Sequence, residues 1–192
     1  MRALERIPQI AAEFQAQFGR SSGGLLHTYR CDDAHTIVVA LGSVLGTIKD
    51  TVDALRDDGE RIGVLGITSF RPFPLAAVRE ALVHAERVVV LEKSFSVGLG
   101  GILANDVRMA MSGTRRNGYT VIAGLGGRAI TQASLQRIFT EAIADTLEPL
   151  TFLDMDWKVV ERQLERERSG ERTGPAAESM LRDVGTVASR VS

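Results

Sequence analysis

The hydrophobic pattern of the chain is dominated by apolar runs that do not alternate with polar residues. They cover residues 36–41, 62–67, 88–91 and 120–123. A continuous apolar run of this length is typical of a strand that is buried on both faces. Such strands belong to sheets that helices cover on both sides. The pattern therefore predicts a buried, mainly parallel sheet.

Helical periodicity fills the intervals between these runs. Leu45, Ile48 and Val52 recur at helical spacing after the first run, and Ser43 is placed to cap that helix. Residues 61–111 read as strand, turn, helix, strand, glycine loop and helix, which contains a βαβ unit. We therefore predict the α/β class, a three-layer α/β/α sandwich with a mainly parallel sheet.

The two ends of the chain differ from its centre. Residues 8–18 predict a helix, and residues 24–29 suit a short edge strand. After residue 148 apolar residues mix with charges, and residues 161–172 are nearly all polar. Such a stretch offers too little apolar surface for a core. We predict a domain over residues 1–148 and a charged extension over 149–192, mobile or bound to a partner.

Composition narrows the function classes. The 192 residues carry a net charge of −1 and only 5% aromatic side chains, so neither charge nor stacking residues indicate a nucleic-acid or membrane partner. No apolar run approaches the roughly 20 residues of a membrane span. Cys31 is the single cysteine, which excludes an internal disulfide and a cysteine-bound metal cluster. A reducing cytoplasm fits this cysteine usage.

Two glycine loops suggest phosphate binding, because each lies between a strand and a helix. They cover residues 98–101 and 124–127, and Arg128 follows the second. Backbone N–H groups at such a place can hold an anion. Neither loop matches a dinucleotide fingerprint or a Walker motif. A tight strand-to-helix turn that needs glycine conformations is the favoured interpretation.

Other chemistry-bearing side chains are scattered. Glu92 and Lys93 lie at the carboxyl end of a strand, a functional position in open α/β sheets. A charge pair on the rim or at a subunit contact is favoured over a catalytic pair. Asp154 and Asp156 alone are weak evidence for a cation site. The histidines show no ligand motif; they are His27, His35 and His84.

The loops after two predicted neighbouring strands carry apolar and cationic side chains together. Because these strands end at the same edge of the sheet, their loops should open there. Exposed phenylalanines and a leucine would suit a partner surface with cations at its border. Inward folding of Phe73 onto its own helix is the alternative. The candidate interface consists of Arg71, Phe73, Lys93, Phe95 and Leu99.

Several of these segments resemble the 2-oxoacid:ferredoxin oxidoreductases. The similar part is the carboxy-terminal domain of the α subunit, which is akin to the transketolase carboxy-terminal domain. Arg-Pro-Phe-Pro at residues 71–74 is the more specific motif, and the glycine loops are less specific. The segments are residues 33–43, 63–67, 70–74, 88–93 and 123–128.

The resemblance implies a complex that oxidatively decarboxylates a 2-oxoacid such as pyruvate with coenzyme A and passes electrons to ferredoxin. Its thiamine diphosphate, Mg²⁺ and iron–sulfur clusters are expected on partner chains. This chain lacks the pyrimidine-binding part, the Gly-Asp-Gly motif and the iron–sulfur cysteines of that family. We therefore expect a structural subunit with no catalytic, cofactor-binding or metal residues of its own, which meets ferredoxin only indirectly.

Two alternatives stay open at this point. The chain can be a free-standing small-molecule-binding or regulatory module on the same fold, because a fold alone does not assign a function. It can also be a small enzyme that gathers Glu92, Lys93 and Arg128 around one pocket. Co-purification with larger chains distinguishes a subunit from both alternatives.

Overall fold

The computed structural model describes residues 2–168, and a six-stranded sheet forms its centre. The strand order is β1-β3-β2-β4-β5-β6. β1 is antiparallel to β3, and every other neighbouring pair is parallel. The strands are β1 (Leu26–Tyr29), β2 (Thr36–Ala40), β3 (Ile62–Ile67), β4 (Arg87–Glu92), β5 (Asn117–Ile122) and β6 (Leu150–Phe152).

The helices alternate with the strands along the chain. A 3₁₀ turn at Leu125–Gly127 precedes α5, whose first turn is capped by Thr131 through a 3.1 Å hydrogen bond from the Ser134 N–H. The helices are α1 (Arg2–Phe18), α2 (Leu45–Asp57), α3 (Leu75–Ala81), α4 (Ile102–Ala110), α5 (Gln132–Ile143) and α6 (Trp157–Arg168).

Two separate apolar cores lie on the two faces of the sheet. Val38, Val64 and Val121 face α2 and α5 in one core. Ile37 and Leu65 face α3 and α4 in the other. Side chains of one strand thus alternate between two buried faces, which explains the apolar runs within β2, β3, β4 and β5. The predicted α/β sandwich and its four strands are confirmed, except that β2 ends at Ala40 and Leu41, predicted to be buried, is 39% exposed.

The amino edge of the sheet, where the parallel strands begin, is held by one carboxylate. Asp145 accepts hydrogen bonds from Arg87 Nε and Nη2 at 2.9 and 2.7 Å on its Oδ2. Its Oδ1 accepts from Asn117 Nδ2 and the Tyr119 hydroxyl, both at 2.8 Å. Hydrogen bonds from Arg87, then Asn117 and Tyr119, hold the pKa of Asp145 well below its usual value.

The ends of the chain depart from the sequence-based expectation. α1 begins at Arg2 and continues through Pro8, although the proline leaves one carbonyl without its intrahelical donor. Past residue 148, Leu150–Phe152 still joins the sheet as β6, and the contact pattern divides the chain after Asp154 instead.

The predicted charged extension therefore contains one strand of the sheet and the separate helix α6. None of the α6 side chains is buried. The rest of the extension, residues 169–192, lies outside the described residues. Within residues 2–168, no helix is both long and apolar enough to cross a membrane.

Candidate functional site at the carboxyl edge of the sheet

The order of the sheet reverses between β2 and β4. From β2 the chain moves to β3 on one side and then returns to β4 on the other. The loops that follow β2 and β4 therefore diverge and leave a crevice at the carboxyl edge, where the parallel strands end. Open α/β sheets bind ligands at such a point.

A cleft of about 400 Å³ occupies this crevice. Its walls are mostly apolar, and its polar groups come from the two strand ends. Ser43 is among the residues that line the cleft. The predicted Ser43 cap is wrong, because the cap position of α2 is Val44 and no side chain makes a capping hydrogen bond there. The apolar lining consists of Leu41, Val44, Phe70, Leu91, Ile102, Leu103 and Ile130.

Glu92 turns inward at the end of β4 and fastens α4 to the sheet. Its side chain is 7% exposed, and its carboxylate accepts hydrogen bonds from the N–H groups of Leu103 at 3.0 Å and Ala104 at 2.8 Å. These N–H groups have no intrahelical partner in the first turn. A Cβ on Gly101 would lie 2.0 Å from Glu92 Oε1, so the contact requires glycine.

The predicted Glu92–Lys93 rim pair does not form, because alternate residues of a strand point to opposite sides. Lys93 is exposed, and no carboxylate pairs with it in the part of the chain that the structure describes. Its Cε packs beside Gly124 of the second glycine loop. Glu92 and Lys93 both line the cleft without forming an ion pair, and Arg128 is not among the lining residues.

The first glycine loop closes on itself. The N–H groups of Leu99 and Gly100 both donate to the Ser96 carbonyl, at 3.0 and 2.8 Å. The helix N-terminus behind the loop already holds the Glu92 carboxylate. An arriving phosphate would meet that negative charge, so the geometry agrees with a tight turn rather than a phosphate cradle.

Arg71 and Phe73 of the candidate interface turn toward their own chain. Arg71 Nη1 lies 2.7 Å from the Asp106 carboxylate on α4, and its guanidinium carbon is 4.0 Å from the centre of the Phe70 ring. Phe73 packs partly buried against the core that α3 and α4 share. The inward alternative therefore describes Phe73, and Arg71 is tied by an ion pair.

Phe95 and Leu99 stay at the surface, and Val97 joins them. Their exposed fractions are 38%, 61% and 94%. Phe95 is supported edge-on by Phe152, with ring centres 5.0 Å apart. We call these three residues the glycine-loop surface. Sequence reasoning missed Val97, although an apolar residue between two others in a glycine-rich loop was the available signal.

The remaining candidates are distributed over different elements. His27 in β1 lies against Gly66 of β3, and burial, followed by the charge of Lys49, lowers its pKa. Asp154 is engaged by Ser134 and Arg137, at 2.6 and 3.0 Å. Among residues 2–168 no three potential metal ligands cluster.

Cys31 is a passive thiol. Its Sγ lies 3.2 Å from the Val64 carbonyl, to which the thiol donates, and burial raises the pKa of the thiol. A raised pKa reduces the thiolate form that reacts.

Comparison with known proteins agrees with this architecture. Residues 34–135 match the family model of the pyruvate:ferredoxin oxidoreductase core domain II. The chain belongs to this family. The resemblance to 2-oxoacid:ferredoxin oxidoreductases that the sequence motifs suggest is thereby confirmed.

Relatives of this core domain II chain are themselves longer. Pyruvate synthase subunit PorA of Methanosarcina barkeri is 41% identical over 145 residues, which cover 73% of this chain and 36% of the relative. The PorA subunit of Thermotoga maritima is 39% identical over 142 residues, with the same coverage. Ketoisovalerate oxidoreductase subunit VorA of Pyrococcus horikoshii is 34% identical, covering 71% and 35%. The chain thus spans about a third of their length.

A solved structure shares the fold. The 2-oxoglutarate:ferredoxin oxidoreductase from Magnetococcus marinus superposes with a TM-score of 0.51 at 20% identity. The match covers 68% of this chain and 21% of that chain. At this identity the likeness concerns the fold alone.

Proposed function

We propose that this chain is a structural, non-catalytic part of a 2-oxoacid:ferredoxin oxidoreductase complex. The whole complex would decarboxylate a pyruvate-like 2-oxoacid with coenzyme A and reduce ferredoxin. The observation that carries the proposal is that this chain matches core domain II. Its relatives PorA and VorA are named as subunits of pyruvate synthase and ketoisovalerate oxidoreductase. The reducing cytoplasm suits the half-buried free thiol of Cys31.

The thiamine diphosphate, Mg²⁺ and iron–sulfur clusters of the complex belong, in this proposal, to partner chains. The described residues do not fit these groups. The first turn of α4 holds the Glu92 carboxylate where a diphosphate would need open N–H donors. Asp154 is engaged by Arg137 and Ser134, and the one thiol, Cys31, is turned toward a carbonyl.

The glycine-loop surface is the proposed contact with the other subunits, with Lys93 at its border. Val97 and Leu99 expose aliphatic side chains on one short loop at the carboxyl edge. Aliphatic side chains held out on a closed turn gain more from a partner than from their own core. Arg71 and Phe73 contribute only indirectly, because each is held by its own chain.

Co-expression with the remaining subunits of its own source tests the proposal. The double substitution Val97→Ser and Leu99→Ser should weaken assembly in native mass spectrometry, while the isolated chain keeps its melting temperature. Val83→Ser is the matched control, since Val83 is 50% exposed in the turn that follows α3. Retention of the full complex by the double variant would place the contact elsewhere, and absence of any complex with the unmodified chain would contradict the proposed function.

A small-molecule module is the second candidate function. The cleft of about 400 Å³ between the ends of β2 and β4 favours it, because apolar walls with a few polar groups are typical of ligand sites. Recovery of the chain from its source as a free monomer that carries a bound small molecule would support this function over the first.

A further inference from the structure

Another cleft, of about 420 Å³, lies beside α4 at the end of the sheet opposite to the glycine loops. Its floor is formed by β4 and β5, and its wall is formed by α4 and the connection over residues 111–116. The volume falls in the range of small-molecule pockets. Neither the family match nor the candidate interface accounts for it.

The floor of this cleft is unusually open for a central strand. Gly118 pairs with Val88 in the register of β4 and β5, and a Cβ on Gly118 would meet only Met111 Cε, at 3.4 Å. Glycine in a strand weakens the strand and marks a place where another group approaches closely. The glycine at residue 118 therefore leaves open space above the strand where a side chain would otherwise pack.

Thr120 supplies a polar group two residues further along β5. Its side chain lines the cleft, and the residue is only 6% exposed. Its hydroxyl has no hydrogen-bond partner among the described residues. No fully buried side-chain oxygen or nitrogen among the described residues lacks a partner, so this hydroxyl reaches the open space of the cleft, where it is available for a ligand.

The walls of the cleft are cationic. Arg108 and Arg116 line it, and among the described residues their side chains donate hydrogen bonds to neutral oxygens only, Asn105 Oδ1 and the Val83 carbonyl. No carboxylate stands among the described residues that line the cleft. Two guanidinium groups without acidic partners create a positive potential and offer several N–H donors.

We propose that this cleft binds a small organic oxoanion, a carboxylate or a phosphate ester with a compact apolar body. Arg108 and Arg116 bind the anionic group, and the Thr120 hydroxyl donates a further hydrogen bond. The apolar body packs into the space above Gly118, against Val88 and Val90. This proposal stands on the cleft itself and does not rest on the proposed function.

Calorimetric titration of the whole chain with benzoate, phenyl phosphate and benzyl alcohol tests the site. We expect saturable binding of at least one anion and none of the neutral alcohol. Benzoate binding without phenyl phosphate binding would assign the carboxylate class, and the reverse result would assign the phosphate class. Saturable binding of neither anion overturns the proposal.

Variants localise any binding that is found. Gly118→Val should fill the cleft, abolish binding and leave the melting temperature equal or higher. Thr120→Val keeps the volume of the side chain and should weaken binding without destabilising the fold. Arg108→Gln should weaken binding about tenfold or more, the equivalent of one charged hydrogen bond. Arg128→Gln removes the same charge from a loop that does not line the cleft and should have no effect. Unchanged binding in both Gly118→Val and Arg108→Gln overturns the proposal.

Discussion

At the residue scale, the contact between Glu92 and Gly101 is the feature that most constrains the sequence. The carboxylate satisfies two N–H groups in the first turn of α4, and the glycine leaves room for it. Because a Cβ at residue 101 would overlap the carboxylate, any larger residue must displace Glu92 from its donors. The buried carboxylate would then lose the hydrogen bonds that compensate its burial.

Gly101→Ala should therefore lower the free energy of unfolding by about 2 kcal/mol or more. Urea denaturation of the purified chain measures the change. Gly46→Ala is the control, because Gly46 lies in α2 with nothing within 4 Å of its added Cβ. That substitution should stabilise the chain by about 0.5–1 kcal/mol through helix propensity. Equal effects of the two substitutions would refute the capping role of Glu92.

Asp145 makes the free energy of unfolding of the chain depend on pH. Its pKa is depressed in the folded state, so its contribution is full above the unfolded pKa of about 3.9 and fades as the pH falls below it. Asp145→Asn should destabilise the chain at pH 7, and the difference from wild type should shrink below about pH 4. Asn tolerates the left-handed conformation that Asp145 adopts, with φ of 54°. A difference that stays constant with pH in chemical denaturation would contradict this assignment.

The sequence predicted only part of the candidate site. Exposure of Phe95 and Leu99 follows from their place in a polar, glycine-rich loop. The orientations of the Arg71 and Glu92 side chains depend on partners in α4. The partner of Arg71 lies 35 residues further along the chain, and those of Glu92 lie 11 and 12 residues further, so no local sequence pattern reveals them. The residue types at a strand end thus predict where the strand stops, but they do not predict toward which neighbours each side chain points.

At the scale of elements, buried strands were easier to predict than exposed ones. β2, β3, β4 and β5 have helices on both faces, so most of their residues are apolar and the runs are visible in the sequence. β6 has three residues at an edge of the sheet, too few for a period to appear. α1 has no buried residue, so no apolar pattern in the sequence marks the residue at which the helix begins.

The start of α5 depends on a local hydrogen bond that the sequence does indicate. Thr131→Ala removes the acceptor of the Ser134 N–H and should destabilise the chain by about 1 kcal/mol. Thr140→Ala, in the exposed part of the same helix, should be neutral or slightly stabilising because alanine is the better helix former. Thermal melts of the two variants compare the cap with an interior position; equal melting temperatures would show that the cap contributes nothing.

At the scale of the whole molecule, the charged extension stays a prediction. Residues 161–172 are nearly all polar, and α6, the part of the extension beyond the sheet that the structure describes, has no buried side chain. Limited trypsin digestion should cut the free chain within this segment first, and assembly with partner subunits should slow that cut. Resistance of the segment in the free monomer would show that it packs on its own chain.

The strand order also has a consequence for synthesis of the chain on the ribosome. β1 and β2 emerge before β3, which pairs with both of them. β4 then adds to the open side of β2, β5 adds to β4, and β6 adds to β5. Each strand that leaves the ribosome after β2 therefore finds its neighbour already made, and the sheet can grow during translation without breaking a pair formed earlier.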